Sequence, residues 1–439
     1  MSSVAQQRSA AESAAAARTP TAWQSDAMSR RVKKRYAKER RFRALGLAAL
    51  VIAAGFLAFL LFTIISDGWR GFQRAEVAVE VTYDPAVLGV TAADVERSGD
   101  TVLARADFRG LLRDAMREQY GSDNLVSEGA WLRLRDEVAD SPSLLGESRE
   151  VWVVASPAID LLAKGDVDFD LPPERRVVDD ETIGSYGELR QEDRVRLAFN
   201  SGFLSRADST NSELAGVWGA LVGSVLTIFV TLAISFPIGV MTAVYLEEYA
   251  PKNRITDIIE VSINNLAAVP SIIFGLLGLA VFLNFFGMPR SAPVVGGLTL
   301  ALMTLPVIVI AARVSLQSVP PSIRDAALGI GASRLQVIAH HILPVALPGI
   351  LTGTIIGISR ALGETAPLLL IGMRAFVSDV PGGVTEPATV LPVQIFLWSD
   401  EVGRGFIEKT SAAIMVLLAV LLTMNGVAIY LRNKFERRW

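Results

Sequence analysis

Residues 319–350 read VPPSIRDAALGIGASRLQVIAHHILPVALPGI, and their local chemistry specifies two short helices with a break between them. Ser322 followed three residues later by Asp325 is a capping-box-like start, placed just after Pro320 and Pro321. Gly329 and Gly331 stop that helix and permit a sharp turn. Ser333 with Gln336 forms a second box, and the helix it opens runs to about Pro344. In a soluble protein this would read as a DNA-binding helix-turn-helix. Here the unit carries few basic residues and is wedged between two apolar blocks, 294–316 and 347–371, so no nucleic-acid partner is expected.

Working outward, those two blocks belong to a set of six. The others are 44–65, 217–245, 269–286 and 411–431. The 439-residue chain is 51% hydrophobic and only 20% charged, with a mean hydropathy of +0.40, which leaves too little polar surface to cover a soluble core. The first block, 44–65, is free of charge and spans about 33 Å as a helix, enough to cross the hydrocarbon layer. It is too long for the apolar part of a cleaved secretory signal, and no small-x-small site follows it, so an uncleaved helix is expected. Before it, Arg30–Arg43 holds nine basic residues against Glu39 alone, and residues 1–43 are expected to form a disordered basic tail in the cytoplasm. Six crossings return the C-terminus, LRNKFERRW, to the same side. Both termini are therefore expected to be cytoplasmic, in a multi-pass protein of a bacterial inner (plasma) membrane. The loop 246–268 gives this orientation no support, because Glu247, Glu248, Asp257 and Glu260 outnumber Lys252 and Arg254.

The long segment after the first span must then lie outside. Residues 66–215 hold 30 acidic and 17 basic side chains, a poor long-range attractor for an anion. Alternation over 75–83 and a β-like run over 150–155 predict strands, and helical spacing appears over 106–120 and 130–138. The expected fold is thus an all-α polytopic membrane protein with six transmembrane helices and a small α/β extracytoplasmic domain, residues 66–212, inserted between helices 1 and 2. Residues 213–439 would form the main membrane domain, with 320–344 as its cytoplasmic loop. Cysteine is absent and His340 and His341 are the only histidines, so no metal site, cofactor or catalytic residue is expected.

The spacing Asp325-Ala326-Ala327, then Gly331, then Leu343-Pro344 resembles the EAA loop of binding-protein-dependent ABC importer permeases. Asp stands at 325 where the family has Glu, and His341 stands where an aliphatic residue is usual. The run Ser359-Arg360-Ala361-Leu362-Gly363-Glu364-Thr365-Ala366-Pro367, together with Ala268-Val269-Pro270-Ser271-Ile272-Ile273-Phe274-Gly275, is similar to the phosphate-specific, PstA-type branch over roughly residues 213–439. The resemblance implies a type I ABC importer permease fold and a non-catalytic subunit. It further implies ATPase coupling through Asp325, Ala326, Ala327, Gly331, Leu343 and Pro344, and import of inorganic phosphate. The implied partners are a second, PstC-like permease subunit, a PstB-like ATPase pair, a PstS-like periplasmic phosphate-binding protein, and membrane lipid. The chain has no G-x-x-x-x-G-K-[ST] loop of its own, so energy must come from a partner.

Arg360 and Glu364 are expected near the middle of the fifth span, one helical turn apart, where a lone charge costs several kcal/mol. Two readings stand. The pair could fix packing against a sister subunit, or it could gate an anion, with Arg360 supplying always-charged donors and Glu364 keeping the anion from staying bound. Arg313 and Thr365 are further candidates for the substrate path, although Arg313 could equally snorkel to headgroups. Ala215, Gly219 and Gly223 predict close helix packing at the start of the second span. A permease for another oxyanion, molybdate or sulfate, is the nearest alternative function. A membrane-anchored sensor is a more distant one.

Overall fold

The structure, a computed structural model, describes residues 26–435. The chain divides after Thr63 into two compact units. The first described helix, α1 (Asp26–Gly71), has 46 residues and begins well before the expected Ala44. Arg30–Arg43 is therefore helical, which corrects the expectation of disorder there. Lys and Arg are strong helix formers, and Glu39 pairs with Arg43 one turn on. Residues 1–25 of the expected tail lie outside the described residues.

Within the second unit, a three-stranded antiparallel sheet has the order β2-β1-β3, with β1 (Gln73–Thr82) at its centre between β2 (Ser148–Val154) and β3 (Val195–Phe199). Helices α2 (Phe108–Tyr120), α3 (Trp131–Asp140) and α4 (Pro157–Lys164) pack against it. Val77, Val79, Phe108, Met116, Leu134, Val153 and Ile159 form its core, each fully buried. The central strand is buried on both faces, as its run of valines and alanines requires.

The membrane part is helical. Five described helices are long and apolar enough to cross a membrane, or six if one bent pair counts as a span. After α1 these are α5 (Trp218–Tyr249), the bent pair α6 (Arg254–Ala267) and α7 (Ser271–Phe285), α8 (Pro293–Gln317), α10 (Arg334–Leu362) and α13 (Gly405–Phe435). Shorter pieces are α9 (Pro321–Gly329), α11 (Ala366–Leu370) and α12 (Leu391–Ser399). Two expected spans change shape. The third is not one continuous helix from 269 to 286. It opens at Ser271, and the chain bends by 100° between α6 and α7, because Pro270 pushes Val269 out of the helical region. The fifth ends at Leu362, not at Ile371, where Gly363 and then Pro367 interrupt it.

The helices approach closely along small residues. A Cβ on Gly223 would stand 2.0 Å from the Thr389 carbonyl oxygen, as the stripe of Ala215, Gly219 and Gly223 predicts. A second stripe passes unnoticed in the sequence. Gly349, Gly353 and Gly357 on α10 face Ser315, Ala311 and Thr304 on α8, and a Cβ on Gly353 would meet that of Ala311 at 2.0 Å.

Candidate functional site

The loop 320–344 packs one face on the end of α8 and leaves the other bare. Ala327, Val337, Ile338 and Ile342 are buried against Val309, Ala312, Leu316 and Val319. Asp325, Ala326 and Gly331 are exposed, Leu343 and Pro344 partly so. Ser333 and Gln336 form the expected reciprocal cap, the Gln336 N–H donating to Ser333 Oγ at 3.3 Å and the Ser333 N–H to Gln336 Oε1 at 2.9 Å. Ser322 and Asp325 do not. Pro320 takes the cap position and α9 starts at Pro321, since proline's fixed φ suits a first helical residue without side-chain help. Gly331 has φ +88°, a left-handed conformation that makes the turn between α9 and α10. The bare face carries Leu328, Ile330 and Leu335, which are 47%, 83% and 67% exposed. His341, on the same helix-turn-helix, is also exposed, so its departure from an aliphatic residue disturbs no core.

Arg324 locks this unit in place, and nothing in the sequence pattern announces it. Its guanidinium donates to the Leu316 and Val319 carbonyls at 3.1 and 3.0 Å, in the last turn of α8 and just beyond it, and to Glu248 Oε1 at 2.8 Å. Arg313 is similarly committed. It meets Glu260 at 2.7 Å and Glu247 at 3.8 Å, with Gln317 bonded to Glu247 at 2.9 Å. Carboxylates thus surround Arg313, a setting that favours a structural role over the anion contact read from the sequence. The same bonds explain the acidic loop 246–268, whose glutamates serve as partners for α8 and α9.

Arg360 and Glu364 do come together, in a setting the sequence misplaces, and Thr365 follows them directly in the chain. Arg360 lies in the last turn of α10, not mid-helix, and Glu364 lies beyond its end. The Arg360 Nε to Glu364 Oε1 distance is 3.5 Å, and the arginine side chain is 51% exposed against 17% for the glutamate. A cation suits a helix C-terminus, where the peptide dipoles present their negative end. The Arg-before-Glu order, unfavourable inside a helix, is thus the natural one here. Thr365 precedes α11 and its carbonyl accepts the Leu368 and Leu369 N–H groups. On the preceding residue, the Ser359 hydroxyl bonds to Asn425 of α13 at 2.7 Å, a tie absent from the sequence reading. The two motifs of the resemblance meet in space, since a Cβ on Gly275 would stand 2.6 Å from Pro367 Cα. α10 connects the loop to the Arg360–Glu364 pair directly, running from Arg334 to Leu362.

The family described as "Binding-protein-dependent transport system inner membrane component" matches residues 235–438, and a "Domain of unknown function" matches residues 29–173. A probable ABC transporter permease protein, YqgI of Bacillus subtilis, is 32% identical over 252 residues, covering 54% of this chain and 84% of its own length. The phosphate transport system permease protein PstA 1 of Mycobacterium tuberculosis is 34% identical over 226 residues, covering 51% of this chain and 72% of its own. The chain belongs to the PstA-type permeases of this transport family. The permease also aligns with an inward-facing MetNI methionine ABC transporter chain at 19% identity and a TM-score of 0.37, over 51% of this chain and 95% of that one. As members of this type are, it is a non-catalytic, multi-pass membrane subunit. The matched family region takes in the loop 320–344, the break at Gly363 and the Arg360–Glu364 pair.

Proposed function

We propose that the chain is the permease subunit of an ATP-driven importer that moves inorganic phosphate into the cell. The observation that carries this is one helix with two ends. At its start, α10 grows from a bare apolar face suited to docking a partner. At its finish it holds a half-exposed guanidinium restrained by a single carboxylate. Its 29 residues make a strut of about 43 Å, so movement of the docked partner is delivered to the arginine. A guanidinium offers paired N–H donors to a tetrahedral oxyanion. Glu364 competes with the anion and limits its residence, and conduction needs such weak sites. Its carboxylate also accepts a hydrogen bond from a protonated phosphate, which sulfate cannot offer.

In this reading the loop 320–344 docks a PstB-like ATPase in the cytoplasm through Leu328, Ile330 and Leu335. A PstC-like permease subunit completes the path, and a PstS-like phosphate-binding protein delivers the anion from outside. The sheet domain, 73–199, joins the opposite end of α5 from the loop and so lies outside the cell. The test is uptake of labelled phosphate by the assembled complex in proteoliposomes, with sulfate and molybdate as competitors. Phosphate uptake that requires ATP and resists a hundredfold excess of both competitors is expected. Inhibition by molybdate at equal concentration would replace phosphate by that oxyanion.

A further inference from the structure

The sheet domain as a whole is acidic, yet its charges are unevenly placed. Where the domain meets the start of α5, a cavity of about 100 Å³ is lined by Arg74, Arg133, Arg206, Ser201, Ser205 and Asp136. That is room for a tetrahedral oxyanion, a volume of about three waters. Arg74 is nearly buried and bonded to Glu76 at 2.8 Å. Glu76 also holds Arg196 at 2.8 Å, so one carboxylate already serves two guanidinium groups. Arg206 is the unsatisfied member. Its side chain is more than half-buried, and among the described residues it has neither a carboxylate within ion-pair distance nor a side-chain hydrogen bond. Burial, and next the charge of Arg74, push its pKa below the usual guanidinium value. Asp136 faces the same cavity but is bonded to Arg135 at 2.9 Å, and Arg133 is held by Glu137 at 3.2 Å. Glu76 thus serves Arg74 and Arg196, and Asp136, already shared with Arg135, is the carboxylate whose charge still reaches Arg206.

Such a group is costly to leave alone, since buried charges in folded proteins are paired. Its position is also fixed. The Arg206 carbonyl accepts the Trp218 N–H at 2.9 Å, which ties it to the first residue of α5, and the Trp218 ring is 42% exposed beside it, as an interfacial anchor would be. The geometry points to an oxyanion-binding pocket at this junction, with Arg206 as the principal ligand, Arg74 as second cation and the Ser201 and Ser205 hydroxyls as added donors. The ligand is a phosphate group, either free or carried on a lipid headgroup. This site lies outside the membrane path and stands independently of the transport reading.

The test uses the full-length permease with Arg360→Gln, which removes the anion contact proposed for the path. Equilibrium dialysis with labelled inorganic phosphate, in lipid-free detergent, reports the free anion. Native mass spectrometry of the same protein from nanodiscs containing phosphatidylglycerol reports the headgroup. Adding Arg206→Gln is expected to weaken binding at least tenfold in whichever assay detects it. Arg206→Lys should retain part of it, and Asp136→Asn should strengthen it. The melting temperature of Arg206→Gln is expected to hold or rise, because an unpaired cation has been removed. Binding in the dialysis arm alone assigns the pocket to free phosphate, and binding in the other alone assigns it to lipid. If Arg206→Gln changes neither arm, or if it lowers the melting temperature while binding persists, the pocket is structural and the inference fails.

Discussion

Arg360 and Glu364 touch only at 3.5 Å, so each has bonding capacity to spare, and this separates the two readings of the pair. Arg360→Gln is expected to remove phosphate uptake while the complex still assembles. Glu364→Gln leaves the cation unopposed, and phosphate should bind the purified complex more tightly and leave more slowly. If the pair served packing alone, the double variant would recover uptake, since a neutral pair often replaces an ionic one without loss. Near wild-type uptake by the double variant would sink the anion-contact assignment. Glu213 offers a test that is independent of transport. It is almost wholly buried, one oxygen accepts from Ser127 at 2.6 Å and the other has no partner. Burial raises its pKa. A carboxyl that holds its proton longer folded than unfolded gives stability that falls as pH rises through the glutamate range and above. Melting curves from about pH 4 to 8 should show this decline in the wild type and a flatter profile in Glu213→Gln, which keeps the Ser127 bond. A pair such as Arg360–Glu364 was legible in the sequence because charges in an apolar block stand out. Its place at a helix end was not, because Gly363 alone is a weak stop inside a hydrophobic run.

At the scale of the element, the loop 320–344 was the most readable part, since caps and left-handed glycines leave local signatures. The bare apolar face was not readable, because burial depends on α8 lying behind it. Ile330→Asp or Leu335→Asp is expected to abolish co-purification of the ATPase while leaving the melting temperature unchanged, as both side chains contact mainly solvent. Normal co-purification of both would remove this face from the interface. Gly331→Ala should cost about 1 kcal/mol through its positive φ, and Arg324→Met should loosen the loop more, removing the guanidinium bonds to Val319, Leu316 and Glu248. Proteolysis rates within 320–344 would rank these two. Arg324 and Arg313 were invisible in this role because their carboxylate partners lie 53 to 76 residues away in the chain.

For the whole molecule, the sheet domain and the membrane helices are held together by charges that neither segment reveals alone. Lys164, almost fully buried, bridges Asp160 and Glu408 of α13 at 2.8 Å each, and Lys409 donates to the Gly71 carbonyl at the end of α1 at 2.9 Å. Lys164→Met leaves two carboxylates facing each other and is expected to destabilise the junction by about 3–5 kcal/mol, read as faster protease cleavage between 199 and 218. Unchanged cleavage would show that apolar contacts such as Phe203 against Trp398 suffice. The bend at Pro270 has a consequence for the surrounding lipid. α7 begins only at Ser271 and ends at Phe285, so its 15 residues reach about 22 Å, some 8 Å short of the hydrocarbon thickness of an average bilayer. Ile272, Ile273, Leu276 and Leu277 stay exposed along it. Where this edge meets lipid, acyl chains beside it must shorten or tilt to wet it. Reconstitution in lipids of graded chain length should give a melting temperature that peaks in thin bilayers. Gly275 faces Pro367 there, so the edge that sets the preferred membrane thickness is also the edge that supports the Arg360 turn.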